Sequence, residues 1–367
     1  MQDLPAPIQV LLASAESPDA GLRRQALALL IAQEPAPGGG AYGPRAVYDP
    51  SPYVQRAAAD ALAARGDAES TALLRTLTRL DSADPYARGH AGMLLAQAGD
   101  TQALPALRAA MDQEREHWRR LPLALAAAAM GDSEALTVVQ KDLARGDLPL
   151  ELDLFRDLGA SGLTELAPAL REGTEMLPPD LALPAAAALM QLGDKQGETT
   201  LRNALASPDL VDRLSALDVL SELPGEHANE LLRKAARSGP EPARVYAACI
   251  LLERGEGDPT QGLAALELQD RELRAQAAWG LGGYLSQVSS GRMRRRVQQS
   301  LRAALSDSEP VVVAAAVDAL GRSGDPQDRD YLAPFLTAET ESLRLRAAGA
   351  LLALQNTSAT AMLPAHP

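Results

Sequence analysis

Few side chains in this sequence are of the types that do chemistry. It carries four histidines, His90, His117, His227 and His366, and a single cysteine, Cys249. A metal site needs convergent ligands. The acid–histidine neighbours here are the isolated pairs Glu116-His117 and Glu226-His227, and neither belongs to an HExxH. Cys249 lies in the apolar stretch YAACILLERG, which fits a small core residue rather than a nucleophile. One cysteine also excludes an intramolecular disulfide. No G-x-S-x-G occurs. The run Gly38-Gly39-Gly40 lacks the Lys-Ser/Thr of a phosphate-binding loop and follows no strand-like segment. Carboxylates are plentiful, but unpaired in sequence they read as solvated faces. These residues point to binding, with no catalytic residue, metal or cofactor expected.

The regular spacing in the chain belongs to a different pair, an Asp followed four residues later by an Arg. It recurs as Asp19-Arg23, Asp84-Arg88, Asp209-Arg213 and Asp270-Arg274, at a period of about thirty residues that signals stacked helical pairs. Each copy runs on through small and aliphatic residues at helical spacing. Several units close in Gly-Asp, at Gly66-Asp67, Gly99-Asp100, Gly131-Asp132, Gly193-Asp194 and Gly324-Asp325. The Asp suits an N-cap, accepting orphan backbone N–H groups. The Arg is expected to pair with the Asp of its own or the adjacent repeat. Small residues precede the aligned leucines Leu62, Leu95 and Leu251, as Ala58-Ala59, Ala91-Gly92 and Ala247-Ala248, and let neighbouring helices approach. Aromatics are 3% of the chain and β-branched runs are scarce, so the expected class is all-α.

This pattern resembles the HEAT-repeat family, in its short bacterial-type form, over almost the whole chain. The resemblance implies an α-solenoid, a right-handed superhelix of about ten or eleven helical pairs, forming one array over residues 1–367. It also implies that the helices carrying the Arg line the concave face. HEAT-repeat hydroxylases that use a metal carry repeated His-Glu dipeptides; here the order is reversed and the copies are isolated. The sequence departs from the pattern at Glu34–Tyr48 and Leu148–Leu170. Glu34–Pro52 holds four Gly and five Pro in nineteen residues and is expected to be an irregular loop. Pro149 is expected to open a helix in the degenerate repeat, and residues 355–367 form a polar tail expected to fray.

Positions five and two before the aligned leucine lie three apart, share a face and are not demanded by the core. They are His90 and Met93, Ser215 and Asp218, Tyr246 and Cys249, Gln276 and Trp279, and Ala315 and Asp318. The candidate partner-binding residues are therefore His90, Met93, Asp218, Tyr246, Gln276, Trp279 and Asp318, with Trp279 and Tyr246 as aromatic anchors. The alternative for Trp279 is packing beneath the Met293–Leu305 helix. Arg292, Arg294, Arg295 and Arg296 form a basic cluster suited to acidic residues on a partner. Gly280, Gly282 and Gly283 each weaken a helix by up to about 1 kcal/mol. Their clustering implies a close backbone approach or a bend.

The function expected from these features is a non-enzymatic scaffold binding another protein or an extended peptide. The alternatives are a HEAT-like enzyme or lyase acting on a bound small molecule, and a DNA-binding solenoid. A net charge of −13 argues against nucleic acid and anionic membranes. No apolar run is long enough to span a bilayer. The N-terminus lacks the basic and apolar regions of a secretory signal, so the expected compartment is the cytoplasm; a mature form whose leader was removed stays open. The sequence names neither the partner nor the oligomeric state.

Overall fold

The computed structural model describes residues 4–33, 42–145, 152–174, 177 and 179–355. The expectations for Gly38 to Gly40, Pro149 and residues 356–367 lie outside the described residues. Among the described residues there are 22 α-helices and no strand. The chain is an all-α solenoid of helical pairs, divided into two compact units, residues 17–203 and residues 1–16 with 204–367.

The first helix, α1 (Ala6–Ser14), belongs to the second of these units. In the 17–203 unit the leading helices of the pairs are α2 (Ala20–Ala32), α4 (Pro52–Arg65), α6 (Pro85–Gln97), α8 (His117–Ala129), α10 (Leu152–Ala160) and α12 (Pro179–Gln191). The trailing helices are α3 (Tyr42–Val47), α5 (Ala68–Arg79), α7 (Leu104–Gln113), α9 (Ser133–Ala144), α11 (Ala167–Thr174) and α13 (Lys195–Leu205). The other unit is built from leading helices α14 (Leu210–Glu222), α16 (Ala243–Glu253), α18 (Arg271–Gln287), α20 (Pro310–Gly321) and α22 (Glu341–Gln355). Its trailing helices are α15 (Glu226–Ser238), α17 (Pro259–Ala265), α19 (Arg292–Ala304) and α21 (Arg329–Leu332). In this unit α1 packs on α22.

Helix α3 gives a regular element over Tyr42–Val47, within the Glu34–Pro52 stretch expected to be an irregular loop; residues 34–41 lie outside the described residues. Pro44 stands in its first turn, where a missing N–H removes no helical bond, and Tyr42, Ala46 and Val47 are buried.

The Asp caps behave as the spacing requires. Asp19, Asp84, Asp209 and Asp270 accept the backbone N–H of Leu22, Tyr86, Val211 and Glu272. A cap of this kind is worth about 1 kcal/mol. The Arg four residues later does something the sequence reading did not foresee. Arg213 Nη1 donates to the carbonyls of Ser207 and Pro208 at 2.6 and 3.0 Å, and Arg274 Nη1 to those of Leu268 and Gln269 at 2.9 and 2.9 Å. Arg23 and Arg344 grip the two carbonyls ahead of their own helices in the same way. The Arg thus pins the turn between repeats. In two copies it also forks onto the Asp ahead of the next leading helix, Arg23 onto Asp49 and Arg274 onto Asp307.

A second ladder runs along the trailing helices. Arg75, Arg108 and Arg171 pair with Asp100, Asp132 and Asp194, the Asp of the following Gly-Asp. Those same carboxylates accept the backbone N–H of Gln102, Glu134 and Gln196. At Asp132 one side chain therefore caps a helix and ties it to the preceding repeat, while Asp100 holds the turn before its helix.

The glycines of α18 record a close approach rather than a bend. A Cβ on Gly280 would sit 2.4 Å from the carbonyl oxygen of Cys249, and one on Gly283 would sit 2.4 Å from the Cα of Glu253. Helix α18 lies backbone to backbone on α16, and only glycine fits there.

Candidate functional site

The leading helices of the C-terminal unit line a half-open cavity of about 550 Å³. Every residue lining it comes from α14, α16, α18, α20 or α22 or from a residue capping one of them. Five of the residues singled out from the repeat register meet here: Asp218, Tyr246, Gln276, Trp279 and Asp318. They come from four successive leading helices, brought to one face because each helix repeats the same rotation relative to its aligned leucine.

Trp279 forms part of the wall and does not project. It is 4% exposed, and its Nε1 donates to Glu253 Oε1 at 2.5 Å. The guanidinium of Arg322 lies over its ring, 3.8 Å from the centroid, and donates to the Trp279 carbonyl at 2.9 Å. This corrects the picture of an exposed anchor. Glu253 on α16 and Arg322 at the end of α20 hold the ring. Burial depresses the Arg322 pKa, with Glu253 and Asp318 opposing.

Tyr246 is half-buried, and its hydroxyl donates to Asp218. Burial, and then the Asp218 carboxylate, push the phenol pKa upward, so the hydroxyl keeps its proton. Asp318 is 3% exposed and paired with Arg346. Burial pushes its carboxyl up, and the charges of Arg346 and Arg322 pull it back. Gln276 Nε2 is buried and has no hydrogen-bond partner in the protein. Around these groups the lining alternates between apolar surface, from Leu214, Pro242, Leu273 and Val311, and the carboxylates Glu222, Asp270 and Glu272. Burial raises the Cys249 thiol to about 12, and at 1% exposure it is a core residue without access to the cavity.

The other register positions do not join this site. Met93 is 1% exposed and belongs to the core of the 17–203 unit, contrary to its expected groove position. His90, in the same unit, is 7% exposed and held between two carboxylates. Its Nδ1 lies 3.0 Å from Asp157 and its Nε2 2.7 Å from Asp60. Asp157 stands on α10, which reaches α6 through this contact and α4 through Arg56–Asp153 at 2.7 Å. The face expected to be open at His90 is thus occupied by the protein itself.

The basic cluster is split. Arg294 is 8% exposed and spends its guanidinium on the carbonyls of Leu285, Val288 and Ser323, at 2.6, 2.5 and 2.6 Å. It is a structural brace, not a partner contact. Arg292, Arg295 and Arg296 are exposed on α19, a trailing helix that contributes nothing to the cavity. Sequence reasoning missed Arg346, Glu222, Glu253, Glu272 and Arg322. Glu253 and Arg322 flank the closing turn of their repeats, and that common position was the signal available for them.

Among the described residues no group of three or more His, Cys, Asp and Glu could hold a metal ion, and no helix is long and apolar enough to cross a membrane.

The HEAT-repeat family profile matches residues 43–127 and 261–353. The chain is a HEAT-repeat protein. The second matched segment covers α18, α20 and α22, three of the five helices around the cavity. No curated protein matches the sequence. Among solved structures, human deoxyhypusine hydroxylase in complex with glycerol is 17% identical over 92% of this chain and 99% of its own, with a TM-score of 0.28. An engineered protein is 18% identical over 96% of this chain and 100% of its own, with a TM-score of 0.29. Kap95p, from a structure in which its binding induces the switch loops of RanGDP to adopt the GTP-bound conformation, is 14% identical over 96% of this chain and 61% of its own, at 0.39. Likeness at these scores carries no argument about activity.

Proposed function

We propose that this HEAT-repeat protein is a non-enzymatic scaffold that holds a protein or extended peptide in the cavity between its C-terminal leading helices. The observation that carries the reading is the convergence of Asp218, Tyr246, Gln276, Trp279 and Asp318 on one cavity. Solenoids work by presenting stacked helices as a continuous surface. These positions are where such a surface is free to vary.

The titratable groups support binding over catalysis. Asp318 is paired with Arg346, Asp270 caps the N–H groups of Glu272 and Leu273, and Asp218 receives the Tyr246 hydroxyl. Each of these carboxylates is thus engaged in a contact within the fold. The carboxylate-rich lining also disfavours nucleic acid. The partner is expected in the cytoplasm.

A photo-crosslinking amino acid at Gln276, compared with one at Arg295 on α19, tests the reading in cells of the source organism. A discrete protein adduct from position 276, absent from position 295, supports it. Equal labelling from both positions, or adducts only to nucleic acid, would sink it.

A further inference from the structure

We infer that the face built by Arg56, Asp60 and His90 is a docking surface for an acidic helix of a partner protein, one that presents two carboxylates a single turn apart, and that α10 is its resident occupant. This goes beyond the scaffold reading and concerns the 17–203 unit alone. Leading helices α2, α4, α6 and α8 stack each on the next. The order then breaks: α10 packs on α12 and reaches back to α6, without comparable packing on α8. The trailing layer shows no such break, since α11 packs on α9. Asp60 stands two before the aligned Leu62 and His90 five before Leu95, so both hold register positions of a groove. Helix α10 lies across them. Asp153 meets Arg56 of α4 at 2.7 Å and Asp157 meets His90 of α6 at 3.0 Å, while Asp60 takes the other ring nitrogen at 2.7 Å. Asp153 and Asp157 are four residues apart, about 6 Å along the axis, and share one face. One carboxylate is thereby delivered to each of two neighbouring leading helices.

The seams of α10 differ in kind. Leu154, Phe155 and Leu158 lie off the Asp153–Asp157 face and are buried, and Gly159 abuts Gln191 of α12. The seam toward α4 and α6 is instead made of ion pairs, and its rim is wet: Asp60 is exposed and Asp153 part-exposed. Desolvation cancels much of the attraction in such pairs, and parting them rehydrates both members, which deleting one member does not. The polar seam can therefore open while the apolar one stays closed and the α9–α11 joint acts as the hinge. A partner helix with the same acid spacing can then take the places of Asp153 and Asp157 at Arg56 and His90. Because α10 is tethered, its effective concentration is high, and it holds the face shut against a weak competitor.

The test uses the full chain with Asp153→Asn and Asp157→Asn, which removes the charge of α10 and keeps its shape. Spin labels at the exposed positions Gln97 and Ala160, in a Cys249→Ala background, report α6 against α10; labels at Thr137 and Glu172, also exposed, report α9 against α11. The α6–α10 distance is expected to lengthen or broaden in the variant, and the α9–α11 distance to hold. The probes are alanine-rich helical peptides with two Asp four apart, with two Asp two apart, and with two Asn four apart. The first is expected to bind the variant about tenfold more tightly than it binds wild type. It should also bind about fivefold more tightly than the second, with the Asn peptide inert. Adding Arg56→Gln to the variant should abolish that preference. An unchanged α6–α10 distance overturns the inference. Movement at both joints overturns it too, since α10 would then belong to one packed core. Opening with equal binding of the three peptides, or with none, overturns the docking assignment. A missing adduct from position 276 sinks the scaffold reading and leaves these outcomes untouched.

Discussion

Replacing His90 with Gln removes a charge from a place where two carboxylates depend on it. The ring is 7% exposed, with Asp157 at 3.0 Å and Asp60 at 2.7 Å on its two nitrogens. Burial alone would lower the imidazole pKa, but the hydrogen bonds and charges of Asp157 and Asp60 outweigh it and raise the value to about 10. The ring is therefore an imidazolium at neutral pH, donating from both nitrogens. Losing one partner of a buried ion pair costs about 3–5 kcal/mol. Asp60 is 59% exposed, so solvent screens its share, and the expected loss is near the lower end, about 3 kcal/mol. The linkage sign follows from a folded-state pKa above the unfolded one. The stabilisation is fully present below about pH 6.5 and is lost as pH rises toward about 10. Chemical unfolding of wild type and His90→Gln at matched pH values isolates this term, because other titrations cancel in the difference. The gap should be widest near pH 6 and shrink steadily to pH 10. Hydrogen exchange should show α10 losing protection first in the variant, since Asp157 and Asp153 tie that helix to α6 and α4. A gap that stays constant from pH 6 to 10 would show a neutral His90 and refute the reasoning.

Two further perturbations test the site and the joints. Trp279→Ala should lower stability by about 3–5 kcal/mol, as expected for a buried aromatic, because it also strips the partner from Glu253 and the ring from Arg322; thermal unfolding measures it, and a change under about 1 kcal/mol would place the ring outside the core. Arg274→Ala should lower the unfolding midpoint by freeing two turn carbonyls and the Asp307 fork. Arg274→Lys should recover little of it, since one ammonium cannot serve both carbonyls and a bidentate carboxylate; full recovery by Lys in the same unfolding assay would show that only the charge matters.

What could be read from sequence was whatever the repeat itself encodes. The Asp caps, the close approach at Gly280 and Gly283 and the shared face of Asp218, Tyr246, Gln276, Trp279 and Asp318 are all set by position within one unit. A register read off one leucine therefore transfers to the next. His90 and Met93 obey the same register and still fail as groove residues. The element that meets His90, α10, arrives from 67 residues further along at Asp157, through a segment where the pattern degenerates. Arg294 fails for a related reason. Its partners are backbone carbonyls, which no side-chain motif names; what sets it apart from Arg295 and Arg296 is its place on the same helical face as the buried Val297 and Leu301. The packing of α1 on α22 had no local signal either, because the two helices lie far apart in sequence.

The same distinction explains why the charge of the site was misjudged. A net charge of −13 describes the whole chain, and a run such as Arg292–Arg296 stands out only because it is contiguous. The carboxylates of the cavity are never contiguous: Asp218 and Glu222 come from α14, Asp270 and Glu272 from the start of α18, and Asp318 from α20. Each alone is an ordinary acidic residue of an acidic protein. Stacking the leading helices superimposes them, while the trailing helices carry the arginines away to another face. In a solenoid the electrostatics of a site are summed across repeats, along the direction the sequence does not run. A single helix's charge run says which sign one face carries; the sign of the groove follows only after the leading helices are read side by side at one register position.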